Sequence, residues 1–428
     1  MNNIQNNNSL PISATNSFIA LVSLSTFFLA VAFLRLFQSH NIVYAALFVM
    51  GCTATVVVLF ETFYFEVYKR ASTGLDMSIN NSSLSRSLVK WMGLLGSYGF
   101  VAFFYWLFPE YHGSFYDRYY EMLRIITIPI FLLAMPYIYL LDRKMKNPQD
   151  GFWHMGKAML LKWEDVDISI LWKHLLGWII KGYFLPLMFI YLCNDLTRIL
   201  VFDFTTLVSF KSFYDFCYDF FYFIDVGLVT IAYIMSLRLI DTHLRSAEST
   251  LFGWVVALVC YEPFWSLIGS HYLAFDSGHA WGMWLSDTSL FYCLWGSMIL
   301  LLLFVYVWAT VSFGFRFSNL TNRGIITSGP YRFTKHPAYL AKNISWWLIS
   351  VPFLVYDNSI ETLHHCLLLL SVNGIYFFRA KTEERHLSQD PTYLQYTQWI
   401  EEHGIFQNIR GWYPNWTWDK RFLNEDEN

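Results

Sequence analysis

Between Arg323 and Tyr339 the chain reads RGIITSGPYRFTKHPAY, and from Arg379 to Leu387 it reads RAKTEERHL. Both segments adjoin long apolar runs, where an ionisable side chain is expensive to hold, so the His, Tyr, Arg and paired Glu gathered here mark a site. Gly324 and Gly329, with Pro330, bracket a turn-rich stretch whose backbone can approach a ligand closely. Pro337 suits the first position of a helix, with His336 just outside it. Such a helix start offers free N–H groups and positive dipole to a carboxylate or phosphate. Along that helix His336, Tyr339 and Asn343 fall at i, i+3 and i+7 and share one face. Trp346 and Trp347 follow, either walling a pocket or meeting lipid, and Asn343 with Trp346 is read as substrate-binding. In the second segment Arg379, Glu383 and His386 share a face, with Glu384 offset. Arg before Glu is the less favourable order for a helix ion pair, which favours a ligand-contacting role for Arg379 and Glu383 over a structural one. Lys335 reads as an ordinary basic anchor. No zinc-ligand spacing, no G-x-S-x-G and no Walker sequence occurs, so metal and covalent catalysis have no support from motifs.

The elements that must position these residues are membrane helices. Of 428 residues, 55% are hydrophobic and only 14% are charged, and repeated apolar runs reach membrane-spanning length. The expected fold is an all-α polytopic membrane bundle of about ten transmembrane helices. The spans read roughly 17 to 37, 42 to 64, 88 to 108, 124 to 141, 174 to 193, 219 to 240, 250 to 272, 288 to 313, 338 to 356 and 362 to 380. A polar tail, 1–16, precedes an N-terminal transmembrane region, 17–285, of about seven of these helices. The remainder, 286–428, carries both polar segments and a cytosolic tail. A net charge of −3 argues against a nucleic-acid partner, leaving the lipid bilayer as the surrounding phase. The six Cys are scattered without C-x-x-C spacing and read as packing residues.

Basic residues set the expected orientation. With the N-terminus cytoplasmic, the outer loops hold only Arg35, Arg118, Arg124, Arg198 and Lys211, and both termini and both polar segments face the cytoplasm. The inner stretch RKMKNPQDGFWHMGKAMLLKWED is amphipathic, and reads as a surface helix at the headgroups or a gating element.

Taken together, the two segments resemble the isoprenylcysteine carboxyl methyltransferase family and, more distantly, the phospholipid N-methyltransferases. The shared pattern is G-[IL]-x-x-x-G-x-Y-x-x-x-R-H-P-x-Y followed by R-x-x-x-E-E-x-x-L and a Tyr pair. It stands here at Gly324 to Tyr339, Arg379 to Leu387, and Tyr393 with Tyr396; Lys335 replaces the usual Arg. The resemblance implies an integral membrane enzyme that uses S-adenosyl-L-methionine as cofactor. It also implies that Arg323, Gly324, Ile325, Ile326, Tyr331, His336, Pro337, Tyr339 and Glu383 contact the methyl donor, and that Arg379 faces the acceptor.

The expected acceptor is lipophilic or lipidated, with methyl transfer at a carboxylate favoured by Arg379. A carboxylate acceptor needs no base, because sulfonium and anion neutralise each other as they react. An amine acceptor must first lose its proton, and Glu383, Glu384 or His386 then becomes the candidate base. Arg379, Glu383 and Glu384 are accordingly the expected catalytic residues. The rivals are an NADPH-dependent sterol-type membrane reductase and a non-catalytic transporter or scaffold.

Overall fold

A computed structural model describes residues 9–37, 41–350 and 358–407. Packing divides the chain into two units, one of the described residues within 18–267 and 313–323, the other of those within 1–17, 268–312 and 324–428. The division thus falls earlier than the composition boundary near 285, and a short segment after the eighth expected span returns to the N-terminal unit.

The N-terminal unit is built from α1 (Ser17–Phe37), α2 (Ile42–Leu59), α3 (Leu84–Leu107), α4 (Asp117–Asp142), α5 (Gly151–Met159), α6 (Ile168–Val201), α7 (Phe210–Ile234) and α8 (Leu251–Leu258). Short polar residues start several of them by accepting otherwise unpaired backbone N–H groups. Asp150 caps α5, Asp167 caps α6, and Ser209 with Ser212 forms a capping box on α7. At 34 residues α6 is the longest helix, and its buried face carries Phe184, Phe189, Leu192 and Leu196. Against it and α1 lies α7, with Phe223 5.0 Å from Phe27 and Tyr233 stacked on Phe184 at 5.7 Å. The outward residues Ile128, Leu132 and Leu133 of α4 are more than two-thirds exposed, which only an apolar surrounding tolerates in such number. One antiparallel pair, β1 (Ser246–Ala247) with β2 (Thr321–Asn322), closes the unit.

The second unit holds the short turns α9 (Ser270–Tyr272) and α10 (Trp281–Trp284), then α11 (Leu290–Phe313), α12 (Pro337–Ser350), α13 (Ser359–Leu387) and α14 (Pro391–His403). The Trp295 indole N–H donates to the Leu348 carbonyl at 2.7 Å and ties α11 to α12. A side-chain chain ties α12 to α13: Trp347 Nε1 donates to Asn373, whose amide donates to Asn343, both at 2.5 Å.

Among the described residues seven helices are long and apolar enough to cross a membrane, so the chain is an all-α membrane bundle. The run at 250–272 is not one continuous helix. Its first piece, α8, ends at Leu258, and Pro263, which lacks an N–H to continue a helix, precedes a separate turn at Trp265–Gly269. Of the last two expected spans, α12 ends at Ser350 with 351–356 outside the described residues, and the C-terminal end of α13 is charged. Residues 408–428 of the expected cytosolic tail also lie outside.

The amphipathic stretch after α4 forms α5, and it packs on α3 with backbone against backbone. A Cβ on Gly93 would stand 1.8 Å from the Phe152 carbonyl oxygen, and one on Gly156 would stand 1.9 Å from that of Val89. Neither neighbour is a flexible side chain, so the helices themselves must part. Gly93→Ala and Gly156→Ala are each expected to cost about 1 to 3 kcal/mol, read as a lower Tm of the purified full chain. Gly99→Ala, on the same helix with nothing within 4 Å of its would-be Cβ, leaves the Tm unchanged or slightly raised.

Candidate functional site

Within the second unit the two polar segments meet. The helix α12 begins at Pro337, and the His336 carbonyl accepts the Leu340 N–H at 3.0 Å. That start aims His336 and Tyr339 at the charged end of α13. His336 Nε2 donates to Glu384 Oε1 at 3.0 Å, and the Tyr339 hydroxyl donates to Glu383 Oε2 at 2.9 Å. The His336 and Tyr339 rings lie nearly parallel, 5.5 Å apart.

Glu384 is 3% exposed and sits among three basic groups. Besides His336, Lys335 reaches Oε1 at 3.0 Å and Lys381 reaches Oε2 at 2.9 Å. Burial alone works against its charge. The His336 hydrogen bond and the charges of Lys335, His336 and Lys381 outweigh it, and hold the carboxyl well below the usual carboxylate range. Lys335 is therefore an ion-pair partner at the centre of the cluster.

Arg379 is buried beside it, its guanidinium 5.2 Å from the centre of the Tyr339 ring and 5.7 Å from that of Tyr376. Tyr376 stands edge-on to both Tyr339 and Trp346. Lys342 lies over the rings of Tyr306, Trp346 and Tyr376 at 5.3 to 5.7 Å. The result is an aromatic wall with interleaved cations. Both functions of the Asn343 side-chain amide take part in local bonds, donating to the Tyr339 carbonyl at 2.7 Å and accepting from Asn373.

The glycine-bracketed loop is held from two sides. Gly324 and Gly329 take φ of 114° and 61°, and a Cβ on Gly329 would meet Ser312 Oγ at 2.2 Å, so only glycine fits that turn. Ile325, Ile326 and Tyr331 are buried. From α14 the Tyr396 hydroxyl donates to the Tyr331 carbonyl at 2.7 Å. From the other side residues 11–15 line the loop: Ala14 N–H donates to the Ile325 carbonyl, and the Thr327 hydroxyl to the Pro11 carbonyl.

Arg323 belongs to the N-terminal unit. Its guanidinium is 3% exposed as a residue and donates to the carbonyls of Thr242, Ala232, Phe317 and Met235 at 2.7 to 3.3 Å. Sequence reasoning did not single out Tyr376, Lys381 or residues 11–15. The i, i+3 spacings of Tyr376 with Arg379 and of Lys381 with Glu384 were available signals. For residues 11–15, which meet a loop three hundred positions away, no local signal exists.

Chemically, the cluster offers one carboxylate, Glu383, to a cationic ligand and a buried guanidinium to an anion. Residues 290–389 match the isoprenylcysteine carboxyl methyltransferase (ICMT) family, a span that contains every residue of this cluster from Tyr331 to Glu384. With the apolar helices, that likeness marks a membrane methyltransferase. No curated protein and no solved structure matches the chain.

Because the folded Glu384 carboxyl titrates below its ordinary 4.5, the stability its charge contributes is complete above that pH and is lost as pH falls beneath it. Glu384→Gln leaves three basic groups without their carboxylate, and is expected to destabilise the protein at neutral pH by about 1 to 3 kcal/mol. The Tm difference from the parent should shrink as the pH is lowered below 4.5. Thermal scans of both proteins from neutral to acidic pH check this.

Proposed function

We propose, from that family likeness, that the protein transfers a methyl group from S-adenosylmethionine to a lipophilic or lipidated acceptor carrying a carboxylate. The observation that carries the proposal is the meeting of the His336–Tyr339 and Arg379–Glu384 stretches in one buried cluster. Bound S-adenosylmethionine would supply an electrophilic methyl on a positively charged sulfur. The residues suit it: the Glu383 carboxylate favours a cation, and the loop from Gly324 to Gly329 allows close backbone approach.

In this reading the protein's task is orientation and exclusion of water. Arg379, fixed over two rings, holds the acceptor carboxylate, and Trp346 lines its apolar part. Glu384 is a positioning residue, because both its oxygens are engaged by cations that lock α13 to the start of α12. Asn343 and Arg323 act likewise, the first on Tyr339, the second on the backbone that leads into Gly324. A carboxylate acceptor arrives already deprotonated, so the cluster needs no free base. The site faces the cytoplasm, and both termini lie there, on the positive-inside distribution of Lys and Arg.

The test is incubation of membranes containing the protein with methyl-labelled S-adenosylmethionine. Label should enter a lipid-like product and be released by mild base, as an ester is; base-stable label would point to an amine instead. Purified protein should bind S-adenosylhomocysteine and not NADPH, and the reverse would favour a reductase.

Arg379→Ala is expected to raise the acceptor KM by about tenfold or more, while S-adenosylhomocysteine affinity changes little. Equal loss of both would remove its assigned role. Tyr339→Phe frees Glu383 of its hydrogen bond and should weaken S-adenosylhomocysteine binding several-fold without lowering the Tm by more than about 2 °C; calorimetric titration and thermal scans separate the two effects.

A further inference from the structure

The N-terminal unit contains a cavity of about 340 Å³ among α3, α4, α5, α6 and the segment after α7. Five Lys or Arg side chains line it against two Asp, and both acids are already taken. Lys90 reaches Asp142 at 2.8 Å and Asp150 at 3.5 Å, and Arg86 also binds Asp142 at 2.7 Å. What remains is a surplus of donors. The Lys181 ammonium, on α6, lies 5.4 Å from the centre of the Trp178 ring and has no hydrogen-bond or ion-pair partner among the described residues. Arg245 turns one guanidinium nitrogen to Asp241 at 3.1 Å, while its Nε is buried without a partner. His243 Nδ1, 3.9 Å from the Asp241 carboxylate, and Ser236 Oγ, both of residues lining the same cavity, are buried without a hydrogen-bond partner among the described residues. Buried polar atoms left unpaired carry a desolvation cost, and their gathering on one cavity calls for a ligand that accepts several hydrogen bonds.

We propose that this cavity binds a phosphate group borne by a small organic molecule or a lipid headgroup. A carboxylate has two oxygens, whereas a phosphate presents three or more, matching donors that come from α6 and from the segment 236–245. Guanidinium and ammonium groups suit such an oxyanion. The volume is that of a small-ligand site, and Tyr137, Leu141 and Trp178 give it an apolar flank. The site is independent of the methyl-transfer cluster, and its test does not depend on that reaction.

The test is the Tm of the full-length protein in a neutral detergent, titrated with inorganic phosphate, with phosphatidic acid in mixed micelles, and with phosphatidylcholine micelles as reference. A ligand bound by the folded state raises Tm saturably, and the midpoint reports its affinity. A rise with inorganic phosphate identifies a soluble phosphate as sufficient; a rise with phosphatidic acid only identifies a lipid headgroup. Either supports the proposal if Lys181→Met or Arg245→Gln moves the midpoint up by about tenfold or more, while Lys211→Met, on an exposed residue elsewhere, does not. No saturable rise with either probe, or midpoints unchanged in both cavity variants, overturns it.

Discussion

A carboxylate taken out of water must be surrounded by positive charge, and Glu384 meets that requirement with groups drawn from two distant parts of the chain. Lys335 and His336 come from the turn before α12, Lys381 from one turn earlier on α13. Neutralising Glu384 is therefore the same event as docking the His-Pro turn on the end of α13. Once docked, Tyr339 can only face Glu383, and Arg379 can only lie over the Tyr339 and Tyr376 rings. The neighbouring acid, Glu383, takes the Tyr339 hydroxyl while its twin holds the frame. Two adjacent glutamates that look equivalent in sequence differ because one points into a cluster of cations and the other toward a hydroxyl.

Much of this was legible in the order of residues. The helix start at Pro337 follows from proline's fixed φ and missing donor, and the turns at Gly324 and Gly329 from glycine's freedom at positive φ. The contact between the two polar stretches was legible from chemistry, since ionisable groups beside apolar runs need partners. Pairings on the scale of a helix turn escaped where a residue had a plainer reading, as with Lys335, whose charge suits a membrane anchor as well as an ion pair. Arg323 shows the opposite effect. Its place in the motif suggested ligand contact, yet its guanidinium serves four backbone carbonyls that no sequence pattern announces. The break in the apolar run at 250–272 was hidden for a different reason: hydrophobicity measures what a segment tolerates, not whether its backbone stays continuous through a proline.

In the N-terminal unit the same rule about buried charge operates without a complete answer inside the protein. Lys90 settles its two acids, and Arg316 reaches Glu61 at 3.4 Å in the core. Lys181, by contrast, has no hydrogen-bond or ion-pair partner among the described residues, and Arg245 Nε is buried without a hydrogen bond. The glycine crossing of α3 and α5 bears on this cavity as well. Because the backbones touch, α5 cannot slide to admit a ligand, and Phe152 is a fixed wall.

The bonds from Pro11, Ser13 and Ala14 to the loop at Ile325 to Ser328 join positions more than three hundred residues apart. On a ribosome, residues 11–15 are made well before the loop to which they bond. A chain that stops before residue 325 therefore cannot make these bonds, and residues 11–15 wait for the loop that fixes them.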